Sequence, residues 1–532
     1  MKNSIRPTQN QMCNTTEKVS SVVNKLRKDC EGLPLAVEEL TLIVESFRNV
    51  PKENEQKESG ADVHGARGLD SEEVTTDSSQ VSPTLWHRFS AVWHLGLQQG
   101  PRGVPGLPAQ GGGLAGDCTQ PGLGISPADA AELTSRVSVV FHVAATVRFD
   151  ADLRTATVTN VGCTCEVVAL AKRMPNLKAF VYMSTAYSHA PRDVIDEKFY
   201  APALKAEELL KLISVMNDEQ LAQILPLLMG DWPNTYTFTK SIAEDVIRSE
   251  AVGLPASIIR PSVVLSTYQE PLALWVGNMY GPTAAGAGSS VGLLHAMHMD
   301  RSALVDGVPA DMVANATLAC AWDTWCRHSS QTPTQRATAE PVIYNYVSTP
   351  RHPISYDLLC RYAQKGTDYP SIRNLWVAYV VLLKEKYLYV IAAVVLHLIP
   401  AIIVDSFLYL KGMKPILWNM YSKIHMVSQA LEPFWTKEWT FKDDNVASLL
   451  VRLGEADRKL FHFDIADYDW EWHLANTMRG FRLYIMNESY DNLEAARKRY
   501  HRLLVLHYTL LAIGSAVLLL VLWRILAAHI GL

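Results

Sequence analysis

The amino-acid sequence predicts an α/β fold, in which crossover helices join the strands of a parallel sheet and a helical region follows toward the carboxy terminus. Two observations predict the sheet. Three runs of apolar and β-branched residues have the composition of strands that are buried on both faces. Patterns typical of helices separate these runs, and this order is characteristic of parallel sheets with crossover connections.

The predicted elements follow one another along the middle of the chain. The strands are Val137–Val143, Leu177–Met183 and Pro255–Val264. The helices are Leu153–Met174, between the first two strands, and Pro233–Val252, before the third. Because ligands of such sheets bind beyond the carboxyl ends of the strands, the residues that follow each strand are the first candidates for a functional site.

The composition excludes several classes of protein. The 532 residues include 49 Lys and Arg against 54 Asp and Glu, a net charge of −5 that argues against a nucleic-acid-binding protein. The eight cysteines include no C-x-x-C pair, so neither a zinc ribbon nor a dense disulfide framework is expected. Apolar residues make up 48% of the chain and charged residues only 19%, below the ~25% of soluble domains, which is compatible with membrane association.

The first 113 residues do not have the composition and hydrophobic pattern of one packed domain. Residues 51–83 are polar and charged, as in disordered linkers, and residues 100–113 are dense in Gly and Pro. We therefore expect residues 1–113 to be largely disordered or weakly helical.

Two apolar stretches near the carboxy terminus are candidates for membrane contact. Tyr387–Val404 contains no formal charge but is interrupted by His397 and Pro400. It is close to the minimum length for a membrane span, and a buried core helix or a hairpin that dips into the interface explains it equally well.

The second stretch, Leu503–Trp523, is longer and also contains no formal charge. Arg497, Lys498, Arg499 and Arg502 precede it directly. By the positive-inside rule this basic cluster stays cytosolic, so we expect a single-pass carboxy-terminal anchor. The alternative is a buried or dimer-forming terminal helix.

Tyr236 and Lys240 stand four residues apart in the predicted helix Pro233–Val252, so both lie on one face. An ammonium group next to a phenol lowers the pKa of the phenol, and such a pair suits proton transfer to or from a carbonyl oxygen. The alternative is a pair on a helix surface.

Polar and small residues follow the predicted strands. Ser184 and Thr185 supply hydroxyl donors after the second strand, unless they only cap a turn. Ala144 and Ala145 follow the first strand, where small residues let a dinucleotide approach the backbone, unless they only permit tight packing. Asn160 lies inside the intervening helix, where an Asn often bonds only to the backbone.

The order of these motifs, HVAA, NVGCT, STAY and then Tyr-x-x-x-Lys, resembles the extended short-chain dehydrogenase/reductase superfamily. The amino-acid sequence of several longer stretches resembles one branch of this superfamily, the alcohol-forming fatty acyl-CoA reductases of the male-sterility type. The resemblance extends from about Leu114 to the end of the chain. The stretches that carry it are residues 139–150, 174–189, 233–244, 258–264, 277–297, 306–315, 396–415 and 441–485.

The resemblance implies a fold and an activity. It implies a truncated Rossmann-like, NADP-dependent reductase domain over 114–355, a helical domain over 356–495 and a transmembrane helix over 503–523. The activity is reduction of a long-chain acyl-CoA by NADPH, through an aldehyde, to a primary alcohol and free CoA. The implied location is the membrane of the endoplasmic reticulum or the peroxisome, with membrane lipid as a partner and the catalytic domain in the cytosol.

The resemblance also implies roles for individual residues. Tyr236 would protonate the developing oxyanion, Lys240 would hold the nicotinamide ribose, and Thr185 with Ser184 would bond to the substrate oxygen. No metal takes part. The residues implied in cofactor binding are Asp117, Ala144, Ala145, Asn160, Lys240, Pro261, Ser262 and Val263.

One feature of the family, the glycine motif of dinucleotide-binding folds, is expected to be missing, and Gly103, Gly106 and Gly111 do not have its spacing. Dinucleotide folds place a glycine motif between a first strand and a helix that meets the pyrophosphate. Gly103, Gly106 and Gly111 follow no predicted strand, and Pro105 and Pro108 separate them. The amino-terminal part of the sheet is therefore expected to be incomplete.

Two explanations remain for this departure: a rearranged translation of a reductase gene, or a divergent product that binds NADPH poorly. The alternative function is a membrane protein that binds acyl-CoA without reducing it. Another membrane-bound reductase, such as a hydroxysteroid dehydrogenase, does not account for residues 469–485.

Overall fold

The computed structural model describes residues 114–364 and 368–530. The expectation for residues 1–113 lies outside these described residues. The chain divides into two compact units. The described part of the first unit consists of residues 114–262, Asp311–Tyr346 and Phe441–Phe463, and the second unit contains the remaining described residues.

The described residues form these strands: β1 Val139–His142, β2 Ala179–Met183, β3 Val194–Ile195, β4 Ala256–Pro261, β5 Val263–Leu265, β6 Ala296–His298, β7 Leu304–Val305, β8 Gly307–Pro309, β9 Val342–Tyr346, β10 Ile354–Ser355, β11 Val381–Leu383 and β12 Thr440–Phe441.

The α-helices up to residue 336 are α1 Pro127–Arg136, α2 Leu153–Thr157, α3 Cys163–Ala171, α4 Ala206–Val215, α5 Asp218–Met229, α6 Thr235–Glu250, α7 Gly281–Ser290, α8 Ala310–Ser330 and α9 Pro333–Arg336. Those that follow are α10 Tyr356–Gln364, α11 Lys386–Ala393, α12 Ile399–Leu410, α13 Leu417–Thr436, α14 Asp444–Arg452, α15 Glu455–Leu460, α16 Trp470–Gly480 and α17 Leu493–Ile530.

The first unit contains a four-stranded sheet in the order β1-β2-β4-β9. All three strand pairs are parallel: Val139 lies opposite Ala179, Phe180 opposite Ala256, and β9 pairs with the other side of β4. All six residues of β4 are buried, as its near-continuous apolar sequence predicts. The predicted α/β fold with a parallel sheet is confirmed.

The predicted strand Pro255–Val264 is two strands in the structure. The first, β4, ends at Pro261, and the Ser262 amide donates to the carbonyl oxygen of Tyr346 at 3.0 Å. The second, β5, begins at Val263, in the second unit, and pairs with β8. Composition cannot reveal this change of partner, because both strands are apolar.

Two helices of the first unit that flank the sheet start at side-chain caps. The carboxylate of Asp152 accepts from the Thr155 amide before α2, and the Asn234 side chain accepts from the Thr237 amide before α6. Such caps satisfy amides that have no partner within the helix. The predicted helix Leu153–Met174 is α2 and α3 joined by one π-helical turn, Val158–Gly162.

Packing of α6 against the sheet forms the core of this unit. Ile247 of α6 belongs to the same buried cluster as Val168, Phe180 and Ile258. The other side of the helix contributes Phe238, Ile242 and Val246 to a second buried cluster. The helix that carries Tyr236 and Lys240 is therefore held on two sides by apolar contacts.

The second unit contains small sheets and most of the carboxy-terminal helices. Its strand pairs are β5 with β8, β6 with β11, and β7 with β10. Within the described residues two helices are long and apolar enough to cross a membrane, Lys386–Leu410 and Leu493–Arg524. The predicted helical carboxy-terminal region is confirmed, together with an apolar terminal helix.

Gly292 occupies a position in the second unit that should not tolerate a side chain. Its φ is +69°, and a Cβ atom added there would overlap the carbonyl of Trp376. We expect Gly292→Ala to lower the free energy of unfolding by about 1–3 kcal/mol through backbone strain and by a similar amount through the overlap. Gly412→Ala is the matched control, because Gly412 has a φ of +72° but no neighbour within 4 Å. Equal losses in the two variants, measured by denaturant unfolding, would contradict the proposed overlap.

Candidate active site

Helix α6 presents three charged or polar side chains on one face, Tyr236, Lys240 and Glu244, at successive intervals of four residues. All three approach residues at or beyond the carboxyl end of β2. This is the edge of a parallel sheet at which ligands bind. The placement of Tyr236 and Lys240 on one helix face agrees with the spacing argument.

The Lys240 ammonium group is anchored to β2. Its Nζ atom donates to the carbonyl oxygen of Met183 at 2.7 Å and to the hydroxyl of Tyr182 at 3.2 Å. The side chain is only 2% exposed. Burial lowers the pKa of Lys240 to about 7, although the nearby Glu244 carboxylate acts to raise it. Two of the three ammonium protons have these partners, so one donor is left to bind a ligand.

Tyr236 lies beside Thr185. Burial raises the pKa of Tyr236 to about 12, although a hydrogen bond with the Thr185 hydroxyl acts to lower it. The ring packs against Phe149, with 5.7 Å between centroids. The expectation that Lys240 lowers the pKa of Tyr236 is wrong for this structure, because burial dominates and Lys240 bonds to Tyr182 instead. The phenol therefore stays protonated at neutral pH.

Asn160 lies in the π-helical turn and joins three segments of the first unit. Its Oδ1 atom accepts from the Thr146 amide at 2.9 Å, and its Nδ2 atom donates to the Thr239 hydroxyl at 2.9 Å. Turns of this kind are frequent at functional sites. The side chain therefore fixes the segment after β1 against α6, one residue before Lys240.

The Ser184 hydroxyl is directed away from Tyr236. It donates to the carboxylate of Glu244, which also pairs with Arg260 at 2.6 Å and with His189 at 3.0 Å. Burial would raise the pKa of Glu244, but Arg260 and His189 together hold it well below its usual range. The structure thus brings Tyr236 and Thr185 together and places Ser184 in a separate, fully buried ionic cluster.

Sequence reasoning missed this cluster and the two β2 groups that hold Lys240. Glu244 lies four residues after Lys240, so the same spacing rule could have identified it. Arg260, Tyr182 and the Met183 carbonyl come from strands, and only the pairing of β2 with β4 brings them to α6.

The other predicted residues at strand ends are Ala144, Ala145, Pro261 and Ser262. Ala144 is buried two residues after β1. Pro261 is the last residue of β4, and the buried hydroxyl of Ser262 has no hydrogen-bond partner among the described residues. An unpaired buried hydroxyl beyond a strand end is available to a ligand.

Asp117 and Val263 are the two remaining residues of the predicted site. The Asp117 carboxylate accepts from the Thr119 amide at 2.8 Å, in the turn before α1. Val263 begins β5 and belongs to the second unit.

The donor set fits one half of a nicotinamide dinucleotide. The Lys240 ammonium group would donate a hydrogen bond to the ribose, and the Ser262 hydroxyl would bind the carboxamide. Both side chains are buried. The residues that would hold the phosphates are not part of this set, since β1 is the last strand at its edge of the described sheet.

The expectation that no glycines have the spacing of a phosphate-binding motif is wrong. Gly100, Gly103 and Gly106 do recur at the three-residue interval of a glycine motif. The expectation that the motif is missing thus depends on Pro101 and Pro105 and on the lack of a preceding strand pattern. All three glycines lie outside the described residues.

His142 makes the stability of this region sensitive to acid. Burial and the charge of Lys240 lower its pKa to about 3, while its Nε2 atom bonds to the Thr164 hydroxyl at 2.9 Å. The unfolded chain therefore binds more protons between pH ~6.5 and ~3, and stability falls as the pH falls through this range. We expect His142→Gln to reduce the slope of unfolding free energy against pH by up to about 1.4 kcal/mol per unit. Identical slopes for the two proteins in denaturant titrations would contradict this assignment.

Comparison with known proteins gives matches over most of the chain. Residues 113–317 match an NAD-binding family model described as male sterility protein, and residues 396–488 match a second model with the same description. The chain is 37% identical over 407 residues to the fatty acyl-CoA reductase wat of Drosophila melanogaster, covering 76% of each chain. It is 32% identical over 414 residues to fatty acyl-CoA reductase 1 of Rattus norvegicus, covering 78% of each.

Among solved structures the chain is similar to the terminal R domain from the myxalamid PKS-NRPS biosynthetic pathway. The identity is 17% and the TM-score 0.43, with 71% of this chain and 75% of that chain covered.

Proposed function

The chain belongs to the fatty acyl-CoA reductase family of oxidoreductases, and from this premise we propose that it uses NADPH to reduce a long-chain acyl-CoA to a primary alcohol. The proposed reaction passes through an aldehyde. The first reduction of the thioester carbonyl releases CoA, and the second converts the aldehyde to the alcohol.

The observation that carries the proposal is the arrangement of Tyr236, Thr185 and Lys240. The Thr185 hydroxyl is close enough to the Tyr236 phenol to act on its pKa, and the ammonium group of Lys240 is fixed to the end of β2 by Met183 and Tyr182. Hydroxyl donors directed at a carbonyl oxygen stabilise the negative charge that develops on it during reduction.

Each residue has a distinct role in the proposed mechanism. Tyr236, protonated at neutral pH, donates its proton to the carbonyl oxygen as charge develops there. Thr185 donates a hydrogen bond to the same oxygen. Lys240 uses its remaining proton to hold the nicotinamide ribose, and Ser262 binds near the nicotinamide. A separate NADPH molecule, when bound, would supply the hydride for each of the two reductions.

The remaining predicted residues have supporting roles. Ala144 and Ala145 leave room for the cofactor beside β1, and Pro261 and Val263 border the nicotinamide. Asn160 positions the segment after β1 through Thr146 and Thr239. We omit Ser184 from the catalytic set, because its hydroxyl already donates to Glu244.

Product analysis tests the proposal with the full-length chain in detergent or lipid nanodiscs. The chain is incubated with palmitoyl-CoA and NADPH that carries deuterium at the transferable position. The expected product is a primary alcohol with two deuterium atoms on its first carbon, and NADH should support the reaction less well. Absence of labelled alcohol and aldehyde from a folded sample would contradict the proposal.

A second candidate function is binding of acyl-CoA without reduction. It is favoured by the sequence before residue 114, where Pro101 and Pro105 interrupt the glycines and no strand pattern precedes them. This candidate predicts that the folded chain retains acyl-CoA and does not bind NADPH. The two functions therefore give opposite results in a cofactor titration.

We propose a cytosolic catalytic domain and a single-pass anchor formed by α17, in the endoplasmic reticulum or the peroxisome. Arg497 and Arg499, in the basic cluster, donate to backbone carbonyls of the second unit, at Asp368 and Asn374. These contacts support the view that the first turns of α17 remain outside the lipid.

A further inference from the structure

The helix from Lys386 to Leu410 presents one polar face and one apolar face. It consists of α11, a π-helical turn and α12. Every fourth residue is partly or fully buried, and this inner row includes a phenol, an imidazole and a carboxylate. The residues of the inner row are Tyr389, Ala393, His397, Ala401 and Asp405.

The inner row is tied to the second unit by hydrogen bonds. The Nε2 atom of His397 accepts from the His295 amide at 3.0 Å, at the edge of β6. The Tyr389 hydroxyl bonds to Nδ1 of His425 on α13 at 2.9 Å. This side of the helix is therefore covered by protein.

Asp405 fixes the return of the chain. Its carboxylate accepts from the amides of Ile416, Leu417 and Trp418 at 2.8–3.0 Å, at the start of α13. A carboxylate at a helix amino terminus stabilises the helix. The bonds close the two helices into a hairpin.

The outer face of the same helix is left uncovered by the described residues and is largely apolar along its length. Ile403, for example, is 64% exposed. An uninterrupted exposed apolar surface of this kind marks a site of contact with a partner or a membrane. Its exposed apolar residues are Tyr387, Leu388, Val390, Ile391, Val394, Val395, Ile399, Ile402, Ile403, Val404, Phe407, Tyr409 and Leu410.

Two features argue against a membrane-spanning arrangement of this hairpin. The helix packs on β6 and α13 along its inner row, so lipid cannot surround it. The return helix exposes Asn419, Lys423 and Gln429. Insertion of a lysine at the centre of a transmembrane helix costs about 2.5–3.5 kcal/mol of free energy on scales measured with the cellular insertion machinery.

The inner row of the helix is connected to α17 through a chain of ring contacts and hydrogen bonds. The ring of Tyr379 stacks on His295 at 4.3 Å and contacts His507 of α17 at 5.4 Å, and His295 in turn bonds to His397. From His507 to Ile530 helix α17 is ~35 Å long, which is sufficient to cross ~30 Å of hydrocarbon. The helix Lys386–Leu410 is thus joined, through His295 and Tyr379, to the part of α17 at which the proposed anchor begins.

We propose that the helix Lys386–Leu410 lies in the plane of one membrane leaflet, with its outer face among the acyl chains, and does not span the bilayer. The exposed side chains of Lys411 and Lys414, in the hairpin turn, lie at the level of the lipid headgroups. The occupant of the apolar face is lipid. The inference concerns attachment alone and does not depend on the reductase chemistry.

Photo-crosslinking to lipid tests this proposal with the unmodified full-length chain. The chain is reconstituted in phosphatidylcholine vesicles that contain a lipid with a photoreactive acyl chain, and adducts are mapped by mass spectrometry. Adducts are expected on the outer face of the helix but not on Asn419, Lys423 or Gln429, and α17 serves as the internal positive control. Adducts on α17 alone would overturn the proposal and indicate that protein covers the face. Adducts on both faces of the hairpin would overturn it in favour of a span.

Accessibility of the hairpin turn provides an independent measurement. Gly412→Cys is labelled with a membrane-impermeant maleimide in sealed microsomes, and labelling of the parent chain is subtracted. The matched control is Arg361→Cys, on the exposed side of α10 in the same unit. We expect both cysteines to react before detergent is added. Protection of Gly412→Cys alone until detergent is added would overturn the proposal, because it would place the turn across the membrane.

Discussion

Replacement of Tyr236 by Phe is expected to lower kcat by about 10²–10⁴-fold, the usual contribution of a positioned proton donor. The substitution removes only the phenol hydroxyl and leaves the contact of the ring with Phe149 in place. The folded state should persist, because the ring still fills its site. The measurement is the rate of alcohol formation from palmitoyl-CoA at saturating NADPH.

Tyr200→Phe is the matched control for this experiment. Its hydroxyl also makes a hydrogen bond, accepting from the Asp196 amide at 2.7 Å, but it does not contact Lys240 or Thr185. We expect this variant to retain most of its kcat. Equal rates for Tyr236→Phe and the parent chain would rule out Tyr236 as the proton donor.

Replacement of Arg260 by Met is expected to destabilise the first unit by about 3–5 kcal/mol, because it leaves a buried charge without its main partner. Arg260 is 0% exposed and Glu244 only 1%. Without the guanidinium group, the Glu244 carboxylate keeps only His189 and Ser184. The measurement is the midpoint of denaturant unfolding.

Two further variants separate loss of the ion pair from loss of packing. The double variant Glu244→Leu with Arg260→Met removes both charges and should regain much of the lost stability. Arg248→Met removes a half-exposed ion pair with Glu340 and should cost less than about 1 kcal/mol. If Arg260→Met were no more destabilising than Arg248→Met, the buried ionic cluster would not hold α6 on the sheet.

The sequence was sufficient to predict the parts of the site that depend on local geometry. Tyr236 and Lys240 share a helix face because of their four-residue spacing, and Thr185 follows a strand whose apolar run is unmistakable. The partners of Lys240 could not be predicted, because Met183 and Tyr182 reach it only through the packing of α6 on β2. The same packing directs Ser184 to Glu244 and separates it from Thr185.

The two carboxy-terminal apolar segments illustrate a different limit. Hydropathy counts side chains but not their contacts, so it gives both segments the character of a membrane span. The two segments differ in their contacts with the rest of the protein. In the helix Lys386–Leu410, His397 and Asp405 of the inner row each have a hydrogen-bond partner elsewhere in the second unit. In helix α17, by contrast, none of the residues in the most apolar stretch is buried.

The most direct test of the central claim is a titration of the full-length chain with NADPH in detergent, in which binding is monitored by the fluorescence of the cofactor. The account predicts saturable binding that is weakened at least tenfold in Lys240→Met, about 1.4 kcal/mol, because Lys240 holds the nicotinamide ribose. No binding by a folded chain that still retains acyl-CoA would contradict the account. That result would favour a membrane protein that binds acyl-CoA without reducing it.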